Sequence, residues 1–167
     1  DVYIPDEDDG NFAAEPMTID QNFHLRIPTD ASYAADQMSR RSDLGSTVFI
    51  NGGPVDWAAI RMTGIADSSF NAEYCAMSIG TKQTIIVTVL LAFMGIRPVD
   101  PVQDCDSTSA TQAAQNPHSL GASRSLGIRQ HVTRYAIAKG NLSLMYATTE
   151  DMVSDMLTKR LERKKLA

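Results

Sequence analysis

The chain has 167 residues, with 15 Lys and Arg against 20 Asp and Glu, two Cys and 43% hydrophobic side chains. That suffices for one ordinary domain with its own core and excludes collagen-like, low-complexity and wholly disordered chains. Cys75 and Cys105 form no C-x-x-C pair and read as reduced, buried residues of an intracellular protein, no basic and apolar leader opens the chain, and its longest apolar run, 84–96, is short of the roughly 20 residues a membrane span needs.

Residues 1–23 hold seven acidic side chains and no basic one. They read as an acidic, partly disordered tether or tail ahead of a domain over 24–167. That body carries 15 basic against 13 acidic side chains, so the chain's net charge of −5 is a poor guide to its partners.

The first strand is expected over 24–30, although Pro28 removes an amide donor and is unwelcome in a central strand. A polar stretch with Arg40-Arg41 follows, then β-branched and aromatic residues over 46–50, Asn51-Gly52, and a second such run over 55–60. An Asn-Gly step between two such runs predicts a hairpin. Asp67, Ser68 and Ser69 are good N-caps for a long helix over 70–94, stopped by Gly95 and Pro98. Its three-to-four spacing of Ala72, Ala76, Ile79, Ile86, Leu90 and Phe93 predicts one core stripe, with Glu73 in the first turn.

A short strand over 99–105 ends at Asp106, and a short helix over 107–115 is closed by Asn116-Pro117. A helix over 122–139, broken by Gly140, a last strand over 141–146 and a single final helix from Thr148 complete the order, with Thr148 or Thr149 as cap and Glu150 and Asp151 in the first turn. The sum is an α/β mixed sheet covered by helices. Trp57 and Tyr74 read as core, as do Met62, Met77, Met94, Met145, Met152 and Met156. His131 reads as a packing or surface residue, and His24 and His118 as solvated.

Four carboxylates fall at meaningful places. Asp30 ends the first strand, Asp106 ends the fourth, Glu73 opens the central helix and Asp155 lies in the final one. If the first and fourth strands are parallel neighbours, Asp30 and Asp106 converge at the rim where α/β sheets bind ligands. Clustered acids raise one another's pKa, a conflict that a hard divalent cation removes, and oxygen donors favour Mg²⁺ or Mn²⁺ over Zn²⁺. Two such ions about 4 Å apart are suited to phosphodiester hydrolysis. On spacing alone, helix caps and surface acids account for the same residues more economically.

The blocks that carry these residues resemble the ribonuclease H domain of copia-type LTR retrotransposon polyproteins, over about 24–160. Thr29-Asp30-Ala31-Ser32 is similar to the family's first-strand Asp block, and Arg40-Arg41-Ser42 with Thr47 through Trp57 to its hairpin with the "GG-P-x-x-W" ending. Ser68-Ser69-Phe70-Asn71-Ala72-Glu73-Tyr74 is similar to "SS-x-x-AEY", and Cys105-Asp106-Ser107-Thr108-Ser109-Ala110 with Asn116-Pro117 to "CDN-x-SA … NP". Ile128-Arg129-Gln130-His131 and the run from Thr149 to Lys159 resemble the closing helix and the "TED-x-x-AD-x-x-TK" tail. The chain departs at Ser125, where the family often has His, and at Phe70-Asn71 and Ser107.

The resemblance implies an RNase H-like fold, a mixed five-stranded sheet in which an antiparallel three-strand meander joins parallel strands, flanked by helices. It implies a metal-dependent endonuclease that hydrolyses the RNA strand of RNA–DNA hybrids with two Mg²⁺ ions, Mn²⁺ being a substitute. Asp30 would bridge both ions, Asp155 would share the one on the attacking-water side, and Glu73 with Asp106 would hold the one on the leaving-group side. Ser32, Arg40, Arg41, Ser69, Asn71, Lys82, Ser107 and Arg124 are candidates for contacting phosphates and 2′-hydroxyls. The nearly uncharged loop over 117–121 predicts weak hybrid binding in isolation, with a reverse-transcriptase domain of the same polyprotein supplying the rest of the grip. The chain is expected to be monomeric alone, off the membrane, and cytoplasmic in a retroelement particle. One alternative is a catalytically silent RNase H-like module. Another is an α/β phosphohydrolase or phospho-acceptor domain, whose sheet would be all parallel.

Overall fold

The computed structural model describes residues 22–116 and 131–159. The acidic lead, His118, Arg124, Ser125, the loop over 117–121 and the first part of the helix expected from 122 lie outside them. The elements run β1 (Phe23–Ser32), β2 (Asp43–Ile50), β3 (Gly53–Arg61), α1 (Ser69–Phe93), β4 (Pro98–Cys105), α2 (Thr108–Gln115), α3 (His131–Ala138), β5 (Ser143–Tyr146), a 3₁₀ turn (Thr149–Asp151) and α4 (Asp155–Thr158). The sheet order is β3-β2-β1-β4-β5. Strands β1, β2 and β3 pair antiparallel, while β4 pairs parallel with both β1 and β5. This is the expected mixed sheet, and it excludes the all-parallel arrangement of a phospho-acceptor domain.

The hairpin forms where the Asn-Gly step predicts it. Asn51 and Gly52 both have positive φ, 48° and 85°, which matches the turn to the twist of its strands. Asn51 also ties the turn to β1, its N–H donating to the His24 carbonyl at 3.0 Å and its Oδ1 accepting from the His24 N–H at 2.9 Å. Pro28 does lie in the central strand. The β1–β2 ladder pairs Leu25 with Ile50 and Arg26 with Phe49, then resumes at Thr29 with Ser46, passing over the proline that has no N–H to give.

Helix α1 is capped by Ser68, whose Oγ accepts from the Asn71 N–H at 3.2 Å. Its end is closed by hydrogen bonds from Gly95 N to the Ala92 carbonyl and from Ile96 N to the Leu91 carbonyl. The helix starts at Ser69, so Glu73 sits one turn in rather than in the first turn. The core stripe also differs from the expected one. Ala72, Ala76, Gly80, Thr84, Val87 and Leu91 are buried, whereas Ile86, Leu90 and Phe93 are exposed. Small and polar residues form the packed face because the helix lies very close to the sheet. A Cβ at Gly80 would stand 2.5 Å from Thr29 Cγ2. By length and composition α1 could cross a bilayer, contrary to the run-length expectation, but half of that window is buried within the fold.

One apolar cluster joins Leu25, Ile27 and Val48 of the sheet to Val87, Leu91, Ala136 and Leu142. A second joins Tyr74 and Met77 to Cys105, Ala110, Ala113 and Ala114. Trp57 is 66% exposed on the edge strand, and of the methionines expected in the core, Met94, Met145 and Met156 are exposed while Met77 and Met152 are buried. The single final helix is in fact two pieces, a 3₁₀ turn and the four-residue α4. The break follows from packing. Met152 turns out of helical conformation into the interior, and the Ser154 backbone sits against Gly45 of β2, where an added Cβ would meet its carbonyl oxygen at 2.8 Å.

Candidate active site

The parallel register places Thr29 beside Cys105, so the residues that follow, Asp30 and Asp106, stand side by side at one rim, Asp106 just past β4 and Asp30 inside β1, which runs on to Ser32 rather than ending at Asp30 as expected. Successive strand residues face opposite sides. Thr29 therefore packs under α1 while Asp30 turns toward α4, where Thr158 Oγ1 donates a hydrogen bond to its Oδ2. Asp155, the first residue of α4, is ion-paired through Oδ1 with Lys159 Nζ. Glu73 reaches the rim from α1, and its carboxylate shares a zone 4.8 Å across with Asp106 and the Cys105 sulfur. Asp106 Oδ2 also accepts a hydrogen bond from Thr149 Oγ1 at 3.3 Å. Glu73 and Asp106 thus share one zone, Asp30 lies within electrostatic reach of both, and Asp155 lies within reach of Asp30.

Their charges act on one another. Burial pushes the Asp30 carboxyl above its ordinary value, and Asp106 and Asp155 push the same way, opposed by the Thr158 hydrogen bond and the Lys159 charge. Glu73 is pushed up to about 8, chiefly by burial and then by Asp106 and Asp30, against a backbone hydrogen bond from Ala31 and the charge of Lys159. Its Oε2 is buried and has no hydrogen-bond partner among the described residues. A divalent cation would satisfy that oxygen and remove the repulsion, so the residues present fit one. Cys105 is not part of that donor set. Burial pushes its thiol up to about 12, and the sulfur is engaged with the Ser107 N–H at 3.4 Å. The remaining donors are hard oxygens, suited to Mg²⁺ or Mn²⁺.

The expected substrate-contacting residues are more dispersed. Ser32 closes β1 at the rim, and Arg40 and Arg41 are exposed in the following loop. Ser69 is exposed at the start of α1, and Asn71 is held there by Asp67, its Nδ2 donating to Oδ1 at 2.7 Å. Ser107 caps α2, its Oγ accepting from the Ala110 N–H at 3.3 Å. Lys82 is exposed well along α1 from Glu73, and Arg124 lies outside the described residues. A cavity of about 420 Å³ lined in part by Thr84, Arg97, Pro98 and Leu142 opens near the start of β4, at the other end of the sheet. Sequence reading missed Thr149, Thr158 and Lys159 as partners of the carboxylates. The signal was available for the last two, which lie three and four residues after Asp155 and so on its face of a helix.

No family model matches the chain. It is 30% identical over 140 residues, 83% of its length, to the retrovirus-related Pol polyprotein from transposon RE1 of Arabidopsis thaliana. It is 29% identical over 141 residues to the corresponding polyprotein from transposon TNT 1-94 of Nicotiana tabacum. The chain spans about a tenth of the length of these polyproteins. Among solved structures it is similar to LC11-RNase H1, isolated from compost by a metagenomic approach, with a TM-score of 0.57 at 16% identity, covering 86% of this chain and 99% of that one. The N-terminal RNase H domain of rv2228c from Mycobacterium tuberculosis gives a TM-score of 0.56 at 12% identity, covering 82% and 91%. The chain therefore belongs with the retrovirus-related Pol polyproteins of copia-type transposons, as a segment with the ribonuclease H fold.

Proposed function

We propose that the chain hydrolyses the RNA strand of RNA–DNA hybrids as a metal-dependent endonuclease, with Asp30, Glu73, Asp106 and Asp155 holding two Mg²⁺ ions, for which Mn²⁺ can substitute. The observation that carries this reading is the convergence of those four carboxylates, with the Glu73 oxygen buried and unpartnered among them. When bound, such a pair of ions supplies activation of water and neutralisation of the charge that develops on the leaving oxygen.

The chain's own residues orient the site. Thr158 fixes the Asp30 carboxylate from α4, and Thr149 holds Asp106 from the preceding turn. Asp30 stands on the central strand, locked on both sides by neighbouring strands, so the geometry of the cluster is set by the most constrained part of the sheet. No side chain is required to act as nucleophile, since water attacks the phosphodiester. Ser32 at the end of β1 and the exposed Arg40 and Arg41 in the loop after it are the candidates for meeting phosphates. LC11-RNase H1 was solved in complex with an RNA/DNA hybrid, which supports the same class of substrate here. The reading further assigns the chain to a polyprotein in a cytoplasmic retroelement particle, whose reverse-transcriptase domain adds to the grip on the hybrid.

The test is cleavage of a labelled RNA–DNA hybrid with Mg²⁺ and with Mn²⁺, beside RNA–RNA and DNA–DNA duplexes, by the wild-type chain and by Asp30→Asn. Cleavage confined to the hybrid and lost in the variant is expected. No cleavage with either ion, with or without an added reverse-transcriptase domain, would leave a catalytically silent module instead.

A further inference from the structure

The carboxylate cluster must be balanced when no divalent ion is bound, and the structure contains a charge placed to do this. Lys159 follows α4 directly and folds its ammonium back onto Asp155 Oδ1, four residues earlier. Its reach is wider than that pair, because its charge also acts on Asp30 and on Glu73. Thr158, the adjacent residue, is hydrogen-bonded to Asp30, so the backbone that carries Lys159 is anchored to the same cluster.

We propose that Lys159 is a resident counter-cation of this cluster, seated on Asp155 in the metal-free protein and displaced from it when divalent ions bind, so that it sets the metal concentration the site requires. The inference rests on the functional reading above and adds a regulating residue to it. An ammonium in contact with Asp155 and a divalent ion on the same carboxylate repel each other at short range. Lysine can yield, since its charge is a compact point on a flexible four-carbon stem. Its side chain is 52% exposed, against 28% for Asp155, so a solvated alternative position is open to the lysine while the aspartate stays at the site.

The experiment is calorimetric titration of the chain with Mg²⁺ and with Mn²⁺ at constant ionic strength, together with thermal unfolding in EDTA and in saturating Mg²⁺. Lys159→Met should bind either ion about two- to fivefold more tightly than wild type, the range expected for releasing one partly exposed ion pair. Lys159→Gln repeats that test with a polar side chain. Lys159→Arg keeps the charge and should show no tightening. Lys139→Met removes the same charge at the far end of α3 and should leave affinity unchanged. In EDTA, Lys159→Met should melt below wild type, and the deficit should vanish in Mg²⁺. Affinity unchanged or weakened in both Lys159→Met and Lys159→Gln, with wild type binding normally, overturns the counter-cation role and leaves the nuclease reading standing. If wild type binds neither ion, or Asp30→Asn binds as well as wild type, the nuclease reading itself fails and the inference fails with it.

Discussion

Two polar regions lie next to each other on β1, α1 and β4, and they are built on opposite terms. In the interior, Gln103 Nε2 donates to the Met77 carbonyl at 2.8 Å and Thr81 Oγ1 donates to Gln103 Oε1 at 3.0 Å. Thr81 is also 2.8 Å from Thr133 Oγ1, and Thr29 Oγ1 donates to the Asp104 carbonyl at 2.9 Å. These groups are uncharged, buried and partnered. At the rim, one residue after Thr29 on β1 and just past the end of β4, Asp30 and Asp106 meet Glu73, whose carboxyl is pushed up to about 8 and whose Oε2 has no partner among the described residues. The lattice holds the helix against the strands in one register, and the rim uses that rigidity to keep like charges together. Stability is concentrated in the first region and given up in the second, as expected where a binding site is preorganised.

Substitutions can break this contrast from either side. The largest effect is expected on activity. Asp106→Asn should lower hybrid cleavage by about 10²–10³-fold, the scale of losing a key electrostatic contact in a reaction centre, while its thermal stability without metal stays level or rises. A variant that loses activity and stability together would place Asp106 with the lattice instead. Next, Gln103→Leu should cost about 2–3 kcal/mol in urea unfolding, because it keeps the volume but strips partners from buried polar groups. A neutral result would show that the lattice is not what holds α1 in register.

The pH dependence sharpens the same contrast. The folded-state pKa of Glu73 is about 8, well above the 4.5 of a free carboxyl. The folded protein therefore binds this proton more tightly than the unfolded one, and the stability it contributes is present at low pH and lost as pH rises from about 4.5 through about 8. Asp30, also raised, acts in the same direction. Glu73→Gln should flatten that slope and stabilise the metal-free protein at pH 8 by about 1–3 kcal/mol. Chemical unfolding at several pH values in EDTA measures it, and an unchanged slope would remove Glu73 as its source. The smallest change is expected for Gly80→Ala. The methyl would meet Thr29 and Gln103, and the overpacking cost, less a helix-propensity gain, leaves a loss of about 1–2 kcal/mol.

Much of the site was legible in the sequence because motif order carries chemistry that spacing alone does not. Asp30, Glu73, Asp106 and Asp155 were each readable from the blocks around them, and the structure brings the first three to one rim, with Asp155 within electrostatic reach of Asp30. The sequence was less informative about α1. A three-to-four pattern of large apolar residues marked Ile86, Leu90 and Phe93 for burial, yet the close approach at Gly80 turns a face of small and polar residues to the sheet and leaves these three outside. Trp57 was misread for a related reason: β3 is an edge strand, and composition does not reveal which strand of a sheet lies at its edge.

By itself, then, the sequence determined the hairpin at Asn51-Gly52, a helix start among Asp67, Ser68 and Ser69, and the order of elements. Those features depend on backbone preferences and side-chain chemistry within a few residues of one another. Only the tertiary structure decided that Thr158 reaches Asp30 across 128 positions of chain and that the last helix breaks where Ser154 meets Gly45. These depend on how closely α4 approaches β2, a distance set by the absence of a Cβ on the facing strand rather than by any preference of the helix itself.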